Sequence, residues 1–322
     1  MTQTQETIYE NMTDEEIIKL RDKQMTQTQD IAVGKTGAQK FSGLGFSGQK
    51  MVHPPGQLLG LLVGMPGTGK SSFIQSNPDA FIINTDGTST TNPNPQACIW
   101  PGVTANGEPM DVNGDKMVLT WEAIEKKKAQ LIKLSETNAP RPQTIILDSL
   151  GPAIQMMKDH VTKKAGRENW KDLDGRRAWD DVYDGLLRFS LDLRRHGYGF
   201  YYICHLVNAK IPLGDDRYTI RPELTITDSF YKRLFPMFEL VAAFESEWVT
   251  ESKVVQMEGV GGKPGPKRTE TVKTQKHFMT INDESLAGIT KCRVSLPDRI
   301  ELPQKSSWAS FEEQYITAQK KD

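Results

Sequence analysis

Short apolar runs separated by longer amphipathic stretches form the main pattern of the chain from residue 57 onward. The runs are LLGLLV, AFIIN, TIILD, FYYICH and LVAAF, at residues 58–63, 80–84, 144–148, 200–205 and 240–244. Nearly every position in them is hydrophobic, which is typical of strands that are buried on both faces of a parallel sheet. Each run is therefore predicted to be a buried strand.

The stretches between these runs have a helical period. Residues 121–134 and 177–195 are predicted to be helices. One apolar face of the second helix is formed by Trp179, Val182, Leu186, Phe189 and Leu193. Their spacing of three and four residues places them on one side of a helix. The alternation of strands and helices predicts an α/β fold, in which a mostly parallel, twisted sheet is flanked by helices.

Three segments do not follow this alternation. Residues 1–50 contain the repeat MTQTQ at positions 1 and 25, a capping box at 13–16, and a tract rich in Gly, Gln, Ser and Lys. We interpret this segment as an N-terminal arm, either flexible or docked on a neighbouring subunit, in front of a core at residues 51–322. Within the core, residues 88–116 are predicted to be a loop or hairpin insertion and residues 248–276 a protruding β-hairpin with a basic tip.

The composition narrows the class of protein. A chain of 322 residues with 37% hydrophobic residues can bury a full α/β core, and a formal net charge of −1 excludes a uniformly basic nucleic-acid coat. No run of eighteen apolar residues occurs and the N-terminus is polar and acidic, so we expect a cytoplasmic protein without a membrane span or secretory signal. Cys98, Cys204 and Cys292 lie far apart, which indicates neither a disulfide framework nor a zinc site.

The first apolar run leads into a glycine-rich turn with the spacing of a phosphate-binding loop. All fixed positions of G-x-x-x-x-G-K-[ST] are present, after a predicted strand and before a short predicted helix at 72–76. In such a loop, backbone N–H groups surround phosphate oxygens, the lysine contacts the β- and γ-phosphates, and the hydroxyl is a ligand of Mg²⁺. The residues predicted to bind a nucleoside triphosphate are Gly64, Met65, Pro66, Gly67, Thr68, Gly69, Lys70, Ser71 and Ser72.

Three polar residues follow other predicted strands and are candidates for the hydrolytic chemistry. Asp148, at the end of TIILD, is expected to hold the Mg²⁺ shell, with a cap for the next helix as the alternative. Asp86 follows AFIIN and, if that strand neighbours the P-loop strand, is placed to orient or deprotonate water, with an ordinary Asp-Gly turn as the alternative. His205 ends FYYICH and is either a contact of the γ-phosphate or a structural histidine.

The order of these motifs, over residues 57 to about 303, resembles the core of the RecA-type recombinases. It resembles more closely the phage RecA-like ATPases that are regarded as single-strand annealing or recombination proteins. The resemblance implies a RecA-like P-loop core in which Asp86 is the catalytic base, Asp148 with Ser149 forms the Walker B site, and His205 couples the γ-phosphate to a DNA-binding loop. Asp86 is one methylene shorter than the glutamate that is usual in the family.

The same resemblance extends to the late segment TKCRVSLP, at residues 290–297. It implies that Lys291 and Arg293 reach across a subunit interface and complete the ATP site of the neighbour.

Two segments that each carry several Lys or Arg residues are candidates for DNA binding. Residues 158–177 hold seven Lys or Arg against four Asp or Glu, with a tryptophan among them. This composition suits phosphate contacts and base stacking, or else a solvated loop. The resemblance assigns the first DNA loop to this segment and the second to residues 208–225. The candidate contacts are Lys163, Lys164, Arg167, Trp170, Lys171, Arg176 and Arg177 in the first segment and Lys210, Arg217, Tyr218 and Arg221 in the second.

Together these features predict a phage-encoded, ATP-dependent protein that binds single-stranded DNA in the host cytoplasm and supports annealing or strand exchange. The expected cofactors are ATP and Mg²⁺. The expected partners are single-stranded DNA, further copies of the chain in a filament or ring, and a single-strand-binding protein, with no membrane. Two alternatives remain open. One is a P-loop kinase, for which Asp216-Arg217-Tyr218 is a formal acceptor motif, and the other is a nucleotide-binding scaffold with little turnover.

Overall fold

Most of the strands lie in one mixed sheet, whose centre is the strand that leads into the glycine-rich loop. The computed structural model describes residues 53–321, apart from 88–96, 105, 107, 112, 138, 215–216, 259–263, 282–289 and 304–306. The predicted N-terminal arm, residues 1–50, lies outside the described residues. So do the side chains of 211–222, 228, 253, 255–258 and 264–267.

The elements of the described residues follow one another as the sequence pattern indicates. The strands are β1 (Leu59–Gly64), β2 (Ala80–Asn84), β3 (Cys98–Trp100), β4 (Gly102–Val103), β5 (Pro109–Met110), β6 (Thr144–Asp148), β7 (Gly199–Gly214), β8 (Arg217–Leu224), β9 (Leu240–Glu258), β10 (Pro264–Thr280), β11 (Lys291–Cys292) and β12 (Arg299–Leu302). The helices are α1 (Lys70–Gln75), α2 (Trp121–Glu136), α3 (Leu150–Lys164), α4 (Gly175–Arg195), α5 (Asp228–Leu234) and α6 (Ser307–Lys321), with 3-10 turns at Pro55–Gln57, Trp170–Asp172 and Phe235–Met237.

A parallel block forms the middle of the sheet. The hydrogen-bonded order is β12-β10-β9-β1-β7-β6-β2-β3, and each neighbouring pair from β9 to β3 is parallel. β1 lies between β7 and β9, and all of its residues are buried. Because parallel strands run the same way, their carboxyl ends meet at one edge of the sheet, where Gly64 is opposite His205 and Asn84 is opposite Asp148.

Side chains alternate between the two faces of the sheet, and each face packs against its own layer of helices. On one face Leu61 and Val63 join the buried sides of α2, α3 and α4. On the other face Leu62 packs with α1 and α6, through residues such as Phe73 and Trp308. Burial of each large apolar side chain contributes about 1.5–3 kcal/mol, so these two layers hold the strand ends in fixed positions.

The structure confirms the predicted α/β fold with a mostly parallel sheet. β2 and β6 have the predicted bounds, whereas β7 and β9 continue far beyond the predicted ends at 205 and 244. The hairpin predicted at 248–276 is present as β9 and β10, which are antiparallel. None of the helices in the described part of the chain combines the length and the apolar character that crossing a bilayer requires.

Two sequence expectations need correction. The insertion at 88–116 is more than a loop or hairpin, because β4 and β5 form a small hairpin while β3 pairs in parallel with β2 and extends the main sheet. The condition that AFIIN neighbours the P-loop strand is also wrong, since β7 and β6 lie between β1 and β2. The strand sequence alone does not specify this order, because all of these strands are equally apolar.

Candidate nucleotide site

The glycine-rich loop joins the end of β1 to the start of α1 and curls around its own centre. Gly67 and Gly69 have φ angles of 81° and 93°, a region that residues with a Cβ rarely adopt. The Thr68 hydroxyl donates a hydrogen bond to the Met65 carbonyl oxygen at 2.8 Å, which closes the turn. The predicted triphosphate-binding residues of this loop are therefore contiguous in space as well as in sequence.

Lys70 lies inside this loop. Its Nζ donates hydrogen bonds to the carbonyl oxygens of Gly64 and Met65, each at 2.8 Å. Burial lowers the pKa of Lys70 to about 8, while the nearby carboxylates of Asp148 and Asp86 act in the opposite direction. Holding the charged ammonium group at the loop therefore costs desolvation free energy, and an anionic ligand would offset this cost.

Ser71 and Asp148 come together from α1 and β6. The Ser71 hydroxyl donates to Asp148 Oδ2 at 3.3 Å, and Asp148 is 1% exposed. A hydroxyl and a carboxylate side by side are the hard oxygen ligands that Mg²⁺ prefers, so these residues fit the metal that a P-loop requires. When bound, Mg²⁺ neutralises charge on the triphosphate oxygens. The structure thus brings the two predicted metal ligands together.

Asp86 and His205 meet at the same edge, although two strands separate β2 from β1. His205 Nε2 lies 3.9 Å from Asp86 Oδ2, and the Asp86 side chain is 15% exposed. His205 Nδ1 is buried and has no hydrogen-bond partner among the described residues. One nitrogen of the imidazole therefore faces the carboxylate and the other faces the interior.

Sequence reasoning missed a set of polar groups beneath Asp86 and Asp148. The Thr85 hydroxyl donates to the Ser149 carbonyl oxygen at 2.6 Å, and the Thr85 amide donates to the Asp148 carbonyl oxygen at 2.6 Å. Asn84 Oδ1 accepts from the Gly87 amide at 3.1 Å. These bonds tie the end of β2 to the end of β6 and fix the turn that carries Asp86. A polar residue at the end of an apolar strand, as at Asn84, is the sequence signal that could have identified this role.

A cavity opens beside the P-loop, next to Gly69 and Ser72. It has a volume of about 260 Å³ and is lined by Gly69, Ser72, Phe73, His277, Leu302, Pro303 and Ser307. His277, on β10, lies with Nδ1 3.1 Å from the Thr68 carbonyl oxygen. The mixture of apolar walls and a few polar groups beside a phosphate loop suits a nucleoside. No sequence signal marked His277, because 209 residues separate it from Thr68.

Lys291 and Arg293 differ in their surroundings. Lys291 Nζ donates to the carbonyl oxygens of Phe235 and Pro236, at 3.4 and 3.2 Å. Desolvation and the charge of Arg293 lower the pKa of Lys291. The Arg293 side chain is 60% exposed and lies 3.9 Å from Glu239. Within this chain, Lys291 is therefore hydrogen-bonded to backbone carbonyl oxygens, while the Arg293 side chain is largely exposed to solvent.

The first basic segment is less loop-like than the sequence suggested. Lys163 and Lys164 form the last turn of α3, and Arg176 and Arg177 lie in the first turn of α4, so the connection between these helices carries only Arg167, Trp170 and Lys171 from the candidate set.

Trp170 is partly covered by its neighbours. The Lys158 ammonium lies 4.8 Å from the centre of the Trp170 ring, and Trp179 packs edge-on at 5.4 Å. A base that stacks on Trp170 would have to displace one of these contacts.

The second candidate DNA-binding segment is a β-hairpin rather than an irregular loop. β7 continues past His205 and pairs with β8, with Ala209 opposite Arg221 and Pro212 opposite Tyr218. Lys210 is exposed on β7. The side chains of Arg217, Tyr218 and Arg221 lie outside the described part of the structure, as does Asp216 of the formal kinase motif.

The comparison with family models agrees with a P-loop site. The family model described as an AAA domain matches residues 57–286, which is more than half of the chain and includes the P-loop, Asp86, Asp148 and His205. No curated protein matches the sequence. Among solved structures, a KaiC-like protein from the hyperthermophilic archaeon Pyrococcus horikoshii OT3 is similar, at 11% identity and a TM-score of 0.35, over 78% of this chain and 88% of that chain. The match to the family model shows that the chain belongs to the AAA domain family, as a P-loop ATPase.

Proposed function

We propose that this ATPase is a recombination protein of the phage type, which binds single-stranded DNA and couples ATP hydrolysis to strand annealing or exchange. ATP occupies the P-loop with its nucleoside in the cavity beside His277, and Ser71 and Asp148 hold Mg²⁺. Asp86 orients the attacking water and accepts its proton, a role that typically contributes about 10²–10⁴-fold to the rate. His205 senses the γ-phosphate next to Asp86.

One observation carries this proposal: a single strand joins the edge of the sheet that holds Asp86 and His205 to the hairpin of β7 and β8. β7 runs without interruption from Gly199 to Gly214, so His205, beside Asp86, and the exposed Lys210 are five residues apart on it. At about 3.3 Å per residue this separation is about 16 Å. A polynucleotide contact on the hairpin and the environment of the γ-phosphate therefore act on the same stiff element, which supports a DNA-stimulated ATPase.

The exposure of Arg293 supports an assembly in which copies of the chain complete one another's sites. The Arg293 side chain is 60% exposed and, among the described residues, its ion pair is with Glu239 at 3.9 Å, so it is available to a neighbour. The carbonyl contacts of Lys291 favour a structural role for that residue instead. Turnover per subunit is then expected to rise with protein concentration and to fall in Arg293→Ala.

The test measures phosphate release from ATP with and without an oligothymidine strand. Wild type is expected to show stimulation by the strand, and Lys210→Glu is expected to keep the basal rate while losing most of the stimulation. Lys126→Glu, which changes an exposed lysine on α2, is the matched control and should respond like wild type.

Two results would contradict the proposal. Equal rates with and without the strand for wild type would remove the coupling between DNA and ATP. Transfer of phosphate to a small acceptor, in place of free phosphate, would identify a kinase.

A further inference from the structure

The hairpin of β9 and β10 leaves the main sheet and continues as a two-stranded ribbon. β9 pairs with β1 only as far as Phe244, and β10 pairs with β12 only from His277 onward. Residues 247–258 and 264–276 pair with each other, and within the described residues no third strand joins them. We call this part the ribbon.

The two faces of the ribbon differ in charge. Residues directly opposite each other across the strands share a face, and faces alternate along each strand. One face contains Glu247, Glu251 and Glu270, and two of these acids, Glu247 and Glu251, are paired with bases. Lys276 contacts Glu251 and Glu301, each at 3.1 Å, and Arg299 contacts Glu247.

The other face, which we call the Trp248 face, has no carboxylate among its described side chains. Its cross-strand pairs are Trp248 with Gln275, Thr250 with Lys273, Ser252 with Thr271, and Val254 with Thr269. All of these side chains except Gln275 are exposed, and Trp248 and Val254 are 70% and 65% exposed. An aromatic ring is therefore presented to solvent within a row of hydroxyl, amide and ammonium groups.

We propose that the Trp248 face binds a single strand of nucleic acid, with a base stacked on Trp248 and the phosphates at Lys273 and the hydroxyl groups. Lysine, serine, threonine and glutamine are side chains that donate to phosphate oxygens, and aromatic rings stack bases without reading sequence. The segregation of the acids to the opposite face removes the main source of repulsion for a polyanion. The proposal rests on the proposed function only in that the protein binds single strands.

A second copy of the chain fits this face less well. The core of a protein interface requires contiguous apolar surface, whereas Thr250 and Ser252 separate Trp248 from Val254 on this face. Lys273 would also be buried opposite a copy of the same face, which carries the same lysine and no described carboxylate to pair with it. The polar lining instead matches the polar backbone of a nucleic acid.

The experiment measures binding of a fluorescent oligothymidine strand by anisotropy, without nucleotide and at several salt concentrations. Trp248→Ala is expected to weaken binding about 5- to 100-fold, whereas Trp248→Phe keeps a ring and should remain within a few-fold of wild type. Lys273→Glu should weaken binding and reduce its salt dependence. Val118→Ala removes a side chain that is 77% exposed outside the ribbon and serves as the control.

Because all three positions are exposed, these variants should unfold at the same urea concentration as wild type. Basal ATPase activity should also be unchanged in each of them. If Trp248→Ala binds the strand like wild type while Lys210→Glu does not, the inference about the ribbon is wrong and the proposed function stands. If wild type binds no strand but hydrolyses ATP, both proposals are wrong. If Trp248→Ala alters sedimentation but not DNA affinity, the face is a contact between copies and the inference is wrong.

Discussion

The imidazole of His277 donates a hydrogen bond from Nδ1 to the carbonyl oxygen of Thr68, at 3.1 Å, and so joins β10 to the phosphate-binding loop. A carbonyl oxygen can only accept, which assigns the proton to Nδ1. The contact is close enough that a Cβ on Gly69 would lie 2.9 Å from the same nitrogen. The base of the ribbon therefore supports the part of the loop whose amides face the phosphates.

Replacement of His277 is expected to weaken nucleotide binding. His277→Phe keeps a ring of similar size but removes the donor, and the loss of one hydrogen bond to the loop costs about 0.5–1.5 kcal/mol, or about a 2- to 10-fold loss in affinity. His277→Asn places an amide donor near the position of Nδ1 and should retain most of the affinity. Titration calorimetry with a non-hydrolysable ATP analogue measures both variants. Equal affinity of wild type and His277→Phe would show that the bond does not support the loop.

The sequence predicted most of the fold because the buried strands are locally encoded. AFIIN and TIILD contain four and three consecutive apolar residues, and β2 and β6 have the predicted bounds. The order of the strands was not predictable in this way. β7 and β6 separate β1 from β2 because of long-range packing of the helical layers, and no residue in AFIIN indicates which strand lies beside it.

Residues of the candidate site that belong to a local motif were predictable from the sequence, whereas contacts that depend on strand order and strand pairing were not. The P-loop is a local motif, so Lys70 and Ser71 were identified from spacing alone. Asp86 was identified at the end of a strand, but its 3.9 Å approach to His205 depends on the strand order. His277 could not be identified, because it reaches the P-loop only through the pairing of β10 with β9. Lys163 and Lys164 were interpreted as loop residues because charged helix ends and loops have similar compositions.

Phe73 connects the P-loop helix to the C-terminal helix, and its truncation is expected to destabilise the protein. Its ring lies 5.2 Å from those of Phe244 and Trp308 and 5.8 Å from that of Phe311, and it is 1% exposed. Phe73→Ala should lower the free energy of unfolding by about 3–5 kcal/mol, because it leaves a cavity in this cluster. Phe73→Leu fills more of the space and should cost less. Urea unfolding measures both, and a loss below about 1 kcal/mol for alanine would contradict the packing described above.

Asp86 is expected to control hydrolysis rather than binding. Asp86→Asn keeps the size of the side chain but removes the base, so the rate of phosphate release should fall by about 10²–10⁴-fold. The affinity for ATP should change little, since Lys70 and the loop amides supply the phosphate contacts. Asp86→Glu restores a carboxylate that is one methylene longer and should recover part of the rate. Unchanged turnover in Asp86→Asn would favour the scaffold over the ATPase mechanism.

Lys70 links the stability of the nucleotide-free protein to pH. Its pKa is lowered from 10.5 in the unfolded chain to about 8 in the folded protein, mainly by burial. Between these two values the unfolded chain binds more protons than the folded one, so the contribution of Lys70 to folding stability becomes more favourable as the pH rises through this window. Below about pH 8 the lysine is charged in both states, and the desolvation of its ammonium group lowers the folding stability by the full amount.

Binding of ATP is therefore expected to take up a proton at alkaline pH. The triphosphate favours the charged ammonium and raises the pKa of Lys70, while the phosphate groups themselves, with a second pKa near 6, are already deprotonated. With a pKa of about 8 in the free protein, uptake should be about half a proton at pH 8 and close to zero at pH 7. Calorimetry in buffers of different ionisation enthalpy measures this number directly. Lys70→Arg stays charged throughout and should show no uptake at pH 8, even where it binds ATP more weakly, whereas equal uptake in wild type and Lys70→Arg would assign the proton to another group.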